Sequence, residues 1–415
     1  MSLSEGVQAR VAYKAYATGV IASTTQPDSS ADPGASAAQI LRRVSTSLKL
    51  GKDTYQSEEV RTDRQIADFR HGTRRVTGSI SGEFSPATYW ELIEAALRGT
   101  DAAAITADQS DLTSVSADSS TAKVTFASGN PVSLGFRVGD VIRFSSLADA
   151  DNNSKNFLVL AFGGANNREV TVFPAPDTMS PDTSFTVATV GRSVYVPSSG
   201  HVQRKFAFEV YHEDIDIARL FTECRVAGFS IDLPASGMST IEIPVMGRDM
   251  EVYEDSAAPF FTNPAAATTT GIFAAVNGAI YLNGARIGVV TGLSIQLDVS
   301  PSSDAVVGQN IVPEVFLGRA NVTGQVTAFF ENADLIGNFL DEDEIAILVY
   351  LTTTSAPDSP AATIHLPRVK LGDADVAVSG EGGQVLTMPF QALLYQGSGA
   401  GIVATTIRIV DTQAT

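Results

Sequence analysis

The chain of 415 residues contains a single cysteine, Cys224, and only four histidines, at positions 71, 201, 212 and 365. One cysteine excludes an intrachain disulfide and leaves the redox compartment open. Because thiolates and imidazoles are the usual ligands of zinc, their scarcity argues against a zinc cluster. We therefore expect a fold stabilised by its apolar core, without metal.

Basic residues are also few, with 28 Lys and Arg against 46 Asp and Glu, which gives a formal net charge of -18. Gripping nucleic acid requires clustered cations, so this balance argues against a surface that binds DNA or RNA tightly. The same charge suits a wall past which DNA slides, because like charges prevent adhesion.

Long apolar runs are absent: no window approaches eighteen uncharged apolar residues, and the N-terminus MSLSEGVQARVAYKAYATGV lacks the apolar segment of a signal peptide. We expect no membrane insertion and a protein that stays in the cytoplasm until it assembles. A hydrophobic content of 44% and a charged content of 18% are ordinary for globular proteins, and the length predicts two or three domains.

Candidate chemical motifs each have a simpler explanation. Asp149, Asp151 and Asn153 begin like a calcium loop, but Ser154 and Leu160 stand where glycine and glutamate are required. The glycine-rich segment 397–401 lacks the strand and helix of a nucleotide loop.

An acidic group surrounds one histidine, at Glu209, His212, Glu213, Asp214 and Asp216. We interpret it as the capping end of a short helix, EDIDIARLFTE, because acidic side chains stabilise helix N-termini. The sequence therefore predicts no enzyme, no cofactor and no metal site.

One unit organises the chain, and it occurs twice. Residues 41–97 read as a strand (LRRVSTSLKL), a long polar arm (GKDTYQSEEVRTDRQIADFRHGT), a second strand (RRVTGSISGEF) and a helix (SPATYWELIEAAL) capped by Ser85 and ended by Gly99. Residues 293–340 repeat this order, with an arm PSSDAVVGQNIVPEVFLGR and a helix ENADLIGNFL.

Four markers recur in the same order. They are Val76-Thr77-Gly78 with Val322-Thr323-Gly324, Phe208–Tyr211 with Ile347–Tyr350, Arg225-Val226 with Arg368-Val369, and Ile243–Val245 with Met388–Phe390. The first two markers lie 135 residues apart in copy one, from 76 to 211, and 28 apart in copy two, from 322 to 350. The excess approximates the segment 101–200, which indicates an insertion.

The segment 101–200 has the pattern of a small antiparallel barrel or sandwich. After a small-residue linker (DAAAITADQSDLTSVSADSSTA), five strands follow at regular intervals: AKVTFA, FRVGDVIRF, KNFLVLAF, REVTVFP and SFTVATV. Further on, Asn283-Gly284 predicts a tight hairpin. We expect three domains: 1–100 with 201–255, the insert 101–200, and 256–415.

The segment 48–100, SLKLGKDTYQSEEVRTDRQIADFRHGTRRVTGSISGEFSPATYWELIEAALRGT, resembles the tail tube proteins of long-tailed (siphophage) bacteriophages. The larger form of these proteins has two tube domains and an inserted β module. The resemblance implies a mainly β fold, in which each copy is a β-sandwich or β-barrel with a short flanking helix. It also implies a structural virion protein of the phage tail that polymerises into stacked rings.

As partners the resemblance implies further copies of the chain, in homotrimeric pseudo-sixfold rings or alternatively hexameric rings, with tape-measure and tail terminator or distal tail proteins. DNA would pass through an acidic lumen without specific binding. The arm would contact the adjacent ring through Asp53, Tyr55, Glu58, Glu59, Arg61, Arg64, Asp68, Phe69 and Arg70. Two alternatives remain open: another ring of the same tail, such as a terminator or distal ring, or a surface adhesion module.

Overall fold

The computed structural model describes residues 4–16, 33–330, 337, 339–373, 375–376 and 383–415. The chain is mainly β, with 47% strand and 9% helix. Eight strands between residues 106 and 189 form one antiparallel sheet, and twenty others are joined by hydrogen bonds into a second, larger network. The predicted mainly β class is confirmed, and in the described residues neither sheet closes into a barrel.

The first hundred residues supply five strands and one helix: β1 (Ala9–Ala15), β2 (Gln39–Ile40), β3 (Ser45–Thr46), β4 (Lys49–Gln56), β5 (Phe69–Glu83) and α1 (Trp90–Leu97). The single strand predicted over residues 41–50 is wrong, because β3 and β4 are separate and Val44 is 67% exposed. Both short strands pair with β5, and the break between them lies beside Gly78, where the two backbones almost touch.

Helix α1 has the predicted apolar stripe but different ends. Ser85 does not cap it: its hydroxyl bonds to that of Thr88 at 2.7 Å, and the helix begins at Trp90. At the other end Arg98, not Gly99, adopts the left-handed conformation that stops the helix. The stripe itself, Tyr89, Leu92, Ile93, Ala96 and Leu97, is buried in the main core.

The insert contains eight strands and two short helices: β6 (Thr106–Asp108), α2 (Gln109–Leu112), β7 (Val115–Asp118), β8 (Lys123–Phe126), α3 (Pro131–Leu134), β9 (Val141–Ser145), β10 (Asn156–Gly163), β11 (Glu169–Phe173), β12 (Met179–Asp182) and β13 (Thr186–Thr189). All five predicted strands are present. The predicted linker is wrong, because it contains β6, α2 and β7. These elements have too few apolar residues for a clear periodicity. The strands enclose their own apolar core, and β12 and β6 are the two open edges of the sheet.

The chain then forms β14 (Arg192–Tyr195), β15 (Phe206–His212), β16 (Ile217–Val226), β17 (Gly228–Pro234), β18 (Thr240–Gly247) and β19 (Asp249–Glu254). The helix predicted over EDIDIARLFTE is wrong: residues 213–216 form a turn and β16 follows. Because β16 is paired on both sides and buried almost throughout, polar and apolar residues do not alternate along it, and the pattern does not distinguish strand from helix.

The last third forms β20 (Ala279–Leu282), β21 (Ala285–Ile287), β22 (Val290–Asp298), β23 (Asn321–Phe329), β24 (Ile345–Thr352), β25 (Ala361–Leu371), β26 (Asp375–Val376), β27 (Val385–Ala392) and β28 (Arg408–Asp411). The predicted hairpin at Asn283-Gly284 is confirmed as a two-residue turn with φ of 49° and 80°. The predicted helix ENADLIGNFL falls largely outside the described residues.

The insert is fastened to the C-terminal third by buried polar contacts. The Arg408 guanidinium donates to the Asp140 carboxylate and, at 3.1 Å, to the carbonyl of Val138. Asn156 donates to the carbonyl of Ser359 at 2.8 Å, and the Thr363 hydroxyl donates to the carbonyl of Gly139 at 2.7 Å. Because these groups are buried, each depends on its partner across the junction.

Candidate assembly surfaces

The strands around the two predicted copies are paired in the same order. In the first half the order is β4, β5, β18, β16, β15 and β1, and in the second it is β22, β23, β27, β25, β24 and β20. The register also matches, since Gly78 lies opposite Val245 and Gly324 opposite Phe390. A register shift occurs at Phe206/Phe208 in one half and at Ile345/Ile347 in the other.

This register changes one of the four sequence markers. Arg225 lies opposite Met246, and Lys370 lies opposite Gln391, the residue that corresponds to Met246. Lys370, rather than Arg368, is therefore the counterpart of Arg225, and Arg368 is the counterpart of Glu223. The shift of two residues keeps each side chain on the same side of its strand.

The two halves are joined edge to edge. Strands β17 and β22 pair through seven residues, from Gly228 opposite Asp298 to Pro234 opposite Gly292. A sheet therefore runs without interruption from β4 through β5, β18, β17, β22, β23 and β27 to β26. Within the described residues, β4 pairs only with β5 and β26 only with β27. Such one-sided strands offer backbone donors and acceptors to another chain.

One face of this joined sheet is polar and the other is buried. A row of exposed or half-buried residues crosses six neighbouring strands: Ser81, Glu242, Ser230, Gln296, Thr323 and Gln391. The next row contains Glu83, Thr240, Asp232, Ser294 and Gln325. The side chains between these rows, such as Ile231 and Ile295, point into the core. We call the exposed side the polar face; it carries the carboxylates of Glu83, Asp232 and Glu242.

The first arm is a projecting β-hairpin, where the sequence predicted a long polar arm (residues 51–73) between two strands. Strands β4 and β5 continue to Gln56 opposite Phe69, which leaves only residues 57–68 as the tip. The Tyr55 ring covers Gly72, where a Cβ would lie 2.2 Å from it. Tyr55 and Phe69 nevertheless remain 58% and 51% exposed, so the hairpin presents apolar side chains to solvent.

The nine residues predicted for assembly all lie on this hairpin. Asp53 is half-buried and bonds to Arg75 at 2.8 Å, while the other eight are exposed. At the tip Arg61 bonds to Asp63 at 3.0 Å, which holds the pKa of the Asp63 carboxyl below its usual range, and near the base of the tip Arg70 bonds to Asp68 at 2.7 Å. Exposed pairs of this kind contribute little to stability, so these charges are available for contacts with another chain.

The second arm, residues 299–320, lies against the first half of the same chain. Glu314 bonds to Lys205 at 2.8 Å and to Arg225 at 3.3 Å. The carbonyl of Val312 accepts a bond of 2.8 Å from Arg248, and the side chains of Val312 and Val315 are fully buried. The sequence pattern predicted this arm only as a copy of the first arm and did not predict that it packs on the first half. The available signal was Glu314 among apolar residues in Val-Pro-Glu-Val.

Beneath the second arm lies a cluster of buried charges. Glu223 is fully buried and bonds to Lys205 at 3.1 Å and to Arg248. Arg74 of β5 bonds to Asp249 at 2.7 Å, and its backbone N–H donates to Asn310 of the arm at 2.8 Å. Burial lowers the pKa of Arg225 from its usual value. Such charges are tolerated only when each is paired, so the arm is part of the folded structure of the first half.

The acidic group around His212 has structural partners. Glu209 is buried and accepts backbone bonds from Phe260 at 2.6 Å and Phe261 at 3.2 Å, while burial raises its pKa. Asp216 accepts from the Tyr211 hydroxyl at 2.8 Å in the turn after β15. The helix-cap interpretation is wrong, because no helix starts here, and the carboxylates instead hold turns and loops.

The described part of the chain contains no cluster of histidine, cysteine and acidic side chains able to hold a metal ion. Among those same residues no helix is long and apolar enough to cross a membrane.

A protein-family model described as phage tail tube protein matches residues 6–392. This range includes both arms, the joined sheet and the insert. No curated protein matches the sequence.

Proposed function

The chain belongs to the phage tail tube protein family and is a structural, non-enzymatic component of the virion tail, and we propose that three copies close into a pseudo-sixfold ring. In this proposal the chain is duplicated, with one tube domain formed by residues 1–100 and 201–255 and a second by residues 256–415. The segment 101–200 is an insert in the first. Each chain then supplies two of six tube domains, which assigns it to the larger, duplicated form of the siphophage tube proteins.

The β17–β22 joint is the observation that carries this proposal. It shows how the edge of a first half accepts the edge of a second half. Strand β26 corresponds to β17, because β17 pairs with β18 and β26 pairs with β27. Strand β4 corresponds to β22, because β22 pairs with β23 and β4 pairs with β5. The free edge at β26 of one chain therefore pairs with β4 of the next. Identical heterologous contacts that close generate a cyclic ring.

Matching registers predict which residues meet. Ser230 lies opposite Gln296 within the chain, and the corresponding residues are Asp375 and Lys49. We expect a protein carrying Lys49→Cys and Asp375→Cys to form disulfides between chains on oxidation. Covalent species ending at three chains support the trimeric ring, and species ending at six support the hexameric alternative. The matched control is Ser230→Cys with Gln296→Cys, which cross-links within one chain.

The polar face lines the bore of this ring. The two rows of this face that cross strands β5 to β27 carry uncharged side chains and three carboxylates and no cation. DNA phosphates therefore find few cationic partners there, and the genome passes with little adhesion during ejection. Replacing Glu242 and Asp232 by lysine should leave ring assembly intact and make the tubes retain added DNA at low salt. If the wild-type tubes and the lysine-substituted tubes both fail to retain DNA, the result argues against a bore lined by this face.

Stacking of rings is assigned to the tip of the first arm, through Glu58, Glu59, Arg61 and Arg64. Deleting residues 55–70 should leave a folded protein that forms no tubes in negative-stain micrographs. Normal tubes from that variant would contradict the role of the arm. At the ends of the tube, tape-measure, terminator and distal tail proteins are the expected partners.

A further inference from the structure

The two arms share a short pattern at matching positions. Ser302 and Phe316 exchange backbone hydrogen bonds of 2.9 and 2.8 Å, and Tyr55 pairs with Arg70 at the corresponding place in the first arm. Counting back from these pairs aligns Val312-Pro313-Glu314-Val315 with Ile66-Ala67-Asp68-Phe69. Each segment places an acidic residue between two apolar ones.

The surroundings of the two segments are opposite. Val312 and Val315 are completely buried against the first half of the chain, whereas Ile66 is 66% and Phe69 51% exposed. Exposed apolar residues that lie close together, here where the tip joins the strands of the hairpin, are typical of interaction sites. In the second arm, this pattern of an acidic residue between apolar ones is buried by the first half of the chain, which lies beside it.

We propose that residues 66–69 dock on the second half of the neighbouring chain in the same ring, as residues 312–315 dock on the first half of their own chain. This inference rests on the proposed ring, because only lateral closure places a second half beside the first arm. The partner is a second copy of this chain.

The receiving surface is defined by the counterparts of the residues that hold the second arm. Lys205, Glu223 and Arg225 correspond to Glu344, Arg368 and Lys370. The Lys205–Glu223 pair beneath the second arm is buried, with side-chain exposures of 10% and 0%, while the Glu344–Arg368 pair at 2.6 Å is exposed, at 42% and 36%. An arm lying across Glu344 and Arg368 would bury them in the same way.

Charge and apolar surface both suit this occupant. Lys370 replaces Arg225 as the cation for the acidic residue of the arm, so the Asp68 carboxylate meets it as Glu314 meets Arg225. Leu394, which is 44% exposed and corresponds to Asp249, offers apolar surface to Ile66 and Phe69. Asp68 and Phe69 are thus assigned to a contact within one ring instead of a contact between rings, while residues 57–65 of the tip remain free to reach the next ring.

Charge reversal tests the contact. Asp68→Lys should raise the dissociation constant of the ring at least tenfold in sedimentation velocity, with unchanged circular dichroism, because Asp68 is exposed in the monomer. Lys370→Glu should weaken the ring similarly, and the double variant should restore it. Ile66→Ser with Phe69→Ser should also weaken the ring, since it removes the apolar part of the contact.

Glu58→Lys is the matched control, with the same charge change on the tip of the same arm. It should leave ring formation unchanged and reduce only stacking. Rings of Asp68→Lys that form normally but do not stack would overturn the lateral contact, as would a double variant that stays dissociated. Wild-type protein that forms no rings at all would instead overturn the proposed function.

Discussion

A Cβ atom on Gly78 would lie 2.6 Å from the carbonyl oxygen of Ser47, because β5 and the chain between β3 and β4 approach each other at this point. Gly78 also has a φ of 148°, which side chains rarely adopt. In the other half, a Cβ on Gly324 would lie 2.2 Å from the carbonyl oxygen of Ser294, the counterpart of Ser47. The same close approach therefore exists twice.

Gly78→Ala should lower the free energy of unfolding by about 2 to 4 kcal/mol, because strain and steric overlap add at one site. Urea denaturation followed by circular dichroism measures the change. Gly292→Ala on β22 is the control, since a Cβ there meets nothing within 4 Å. Equal stability of the two variants would contradict the close approach.

Arg408→Met should lower the free energy of unfolding by about 3 to 5 kcal/mol, because it leaves the buried Asp140 carboxylate without its cation. It should also speed proteolysis within the insert, because Arg408 of β28 binds Asp140 and Val138 of the insert. The control is Lys155→Ala, which breaks the exposed Lys155–Asp177 pair of the same insert and should change stability by less than about 1 kcal/mol. A similar small effect from Arg408→Met would show that the junction does not depend on this pair.

His365 should make the protein sensitive to acid. Burial and the neighbouring Arg408 lower its pKa to about 3 from 6.5, so between these values the unfolded chain takes up a proton that the folded chain refuses. Stability present above pH 6.5 is therefore lost as pH falls, by about 1.4 kcal/mol per unit. His365→Gln should remove this slope in urea denaturation series between pH 6.5 and 4.

Asp411 gives the contrasting slope. Burial raises its pKa to about 6 from 3.8, so the folded chain holds a proton that the unfolded chain releases, and stability falls as pH rises through this window. Asp411→Asn should therefore make the loss of stability on acidification steeper, whereas His365→Gln should make it shallower. Parallel pH profiles for the two variants would be inconsistent with these shifts.

Cys224 should be unreactive until the protein unfolds. It is fully buried in the main core, and burial raises the pKa of its thiol far above the usual range. A thiol reagent should modify it at least about a thousandfold more slowly than in urea, since reaction requires opening of the core. Val252→Cys, at a position that is 50% exposed, should react at once. Rapid modification of native Cys224 would mean that β16 opens easily.

Local sequence signals were enough to predict the strands whose side chains alternate and the turns with special chemistry. All five strands predicted in the insert, the Asn283-Gly284 hairpin and the buried stripe of α1 followed from period and turn residues, because these signals are local. The recurrence of Val-Thr-Gly was also visible in the sequence, because Gly78 and Gly324 meet the same steric requirement, a close approach of the neighbouring backbone.

Local signals did not predict which segments are covered on both sides or which strand edges remain open, because both depend on long-range packing. The run around β16 looked helical because burial on both faces removes alternation, and the first arm looked like a loop because its paired strands are polar. The β17–β22 joint and the seating of Glu314 on Lys205 and Arg225 join residues far apart in sequence. Contacts of that kind depend on how the two halves pack, which no local pattern specifies.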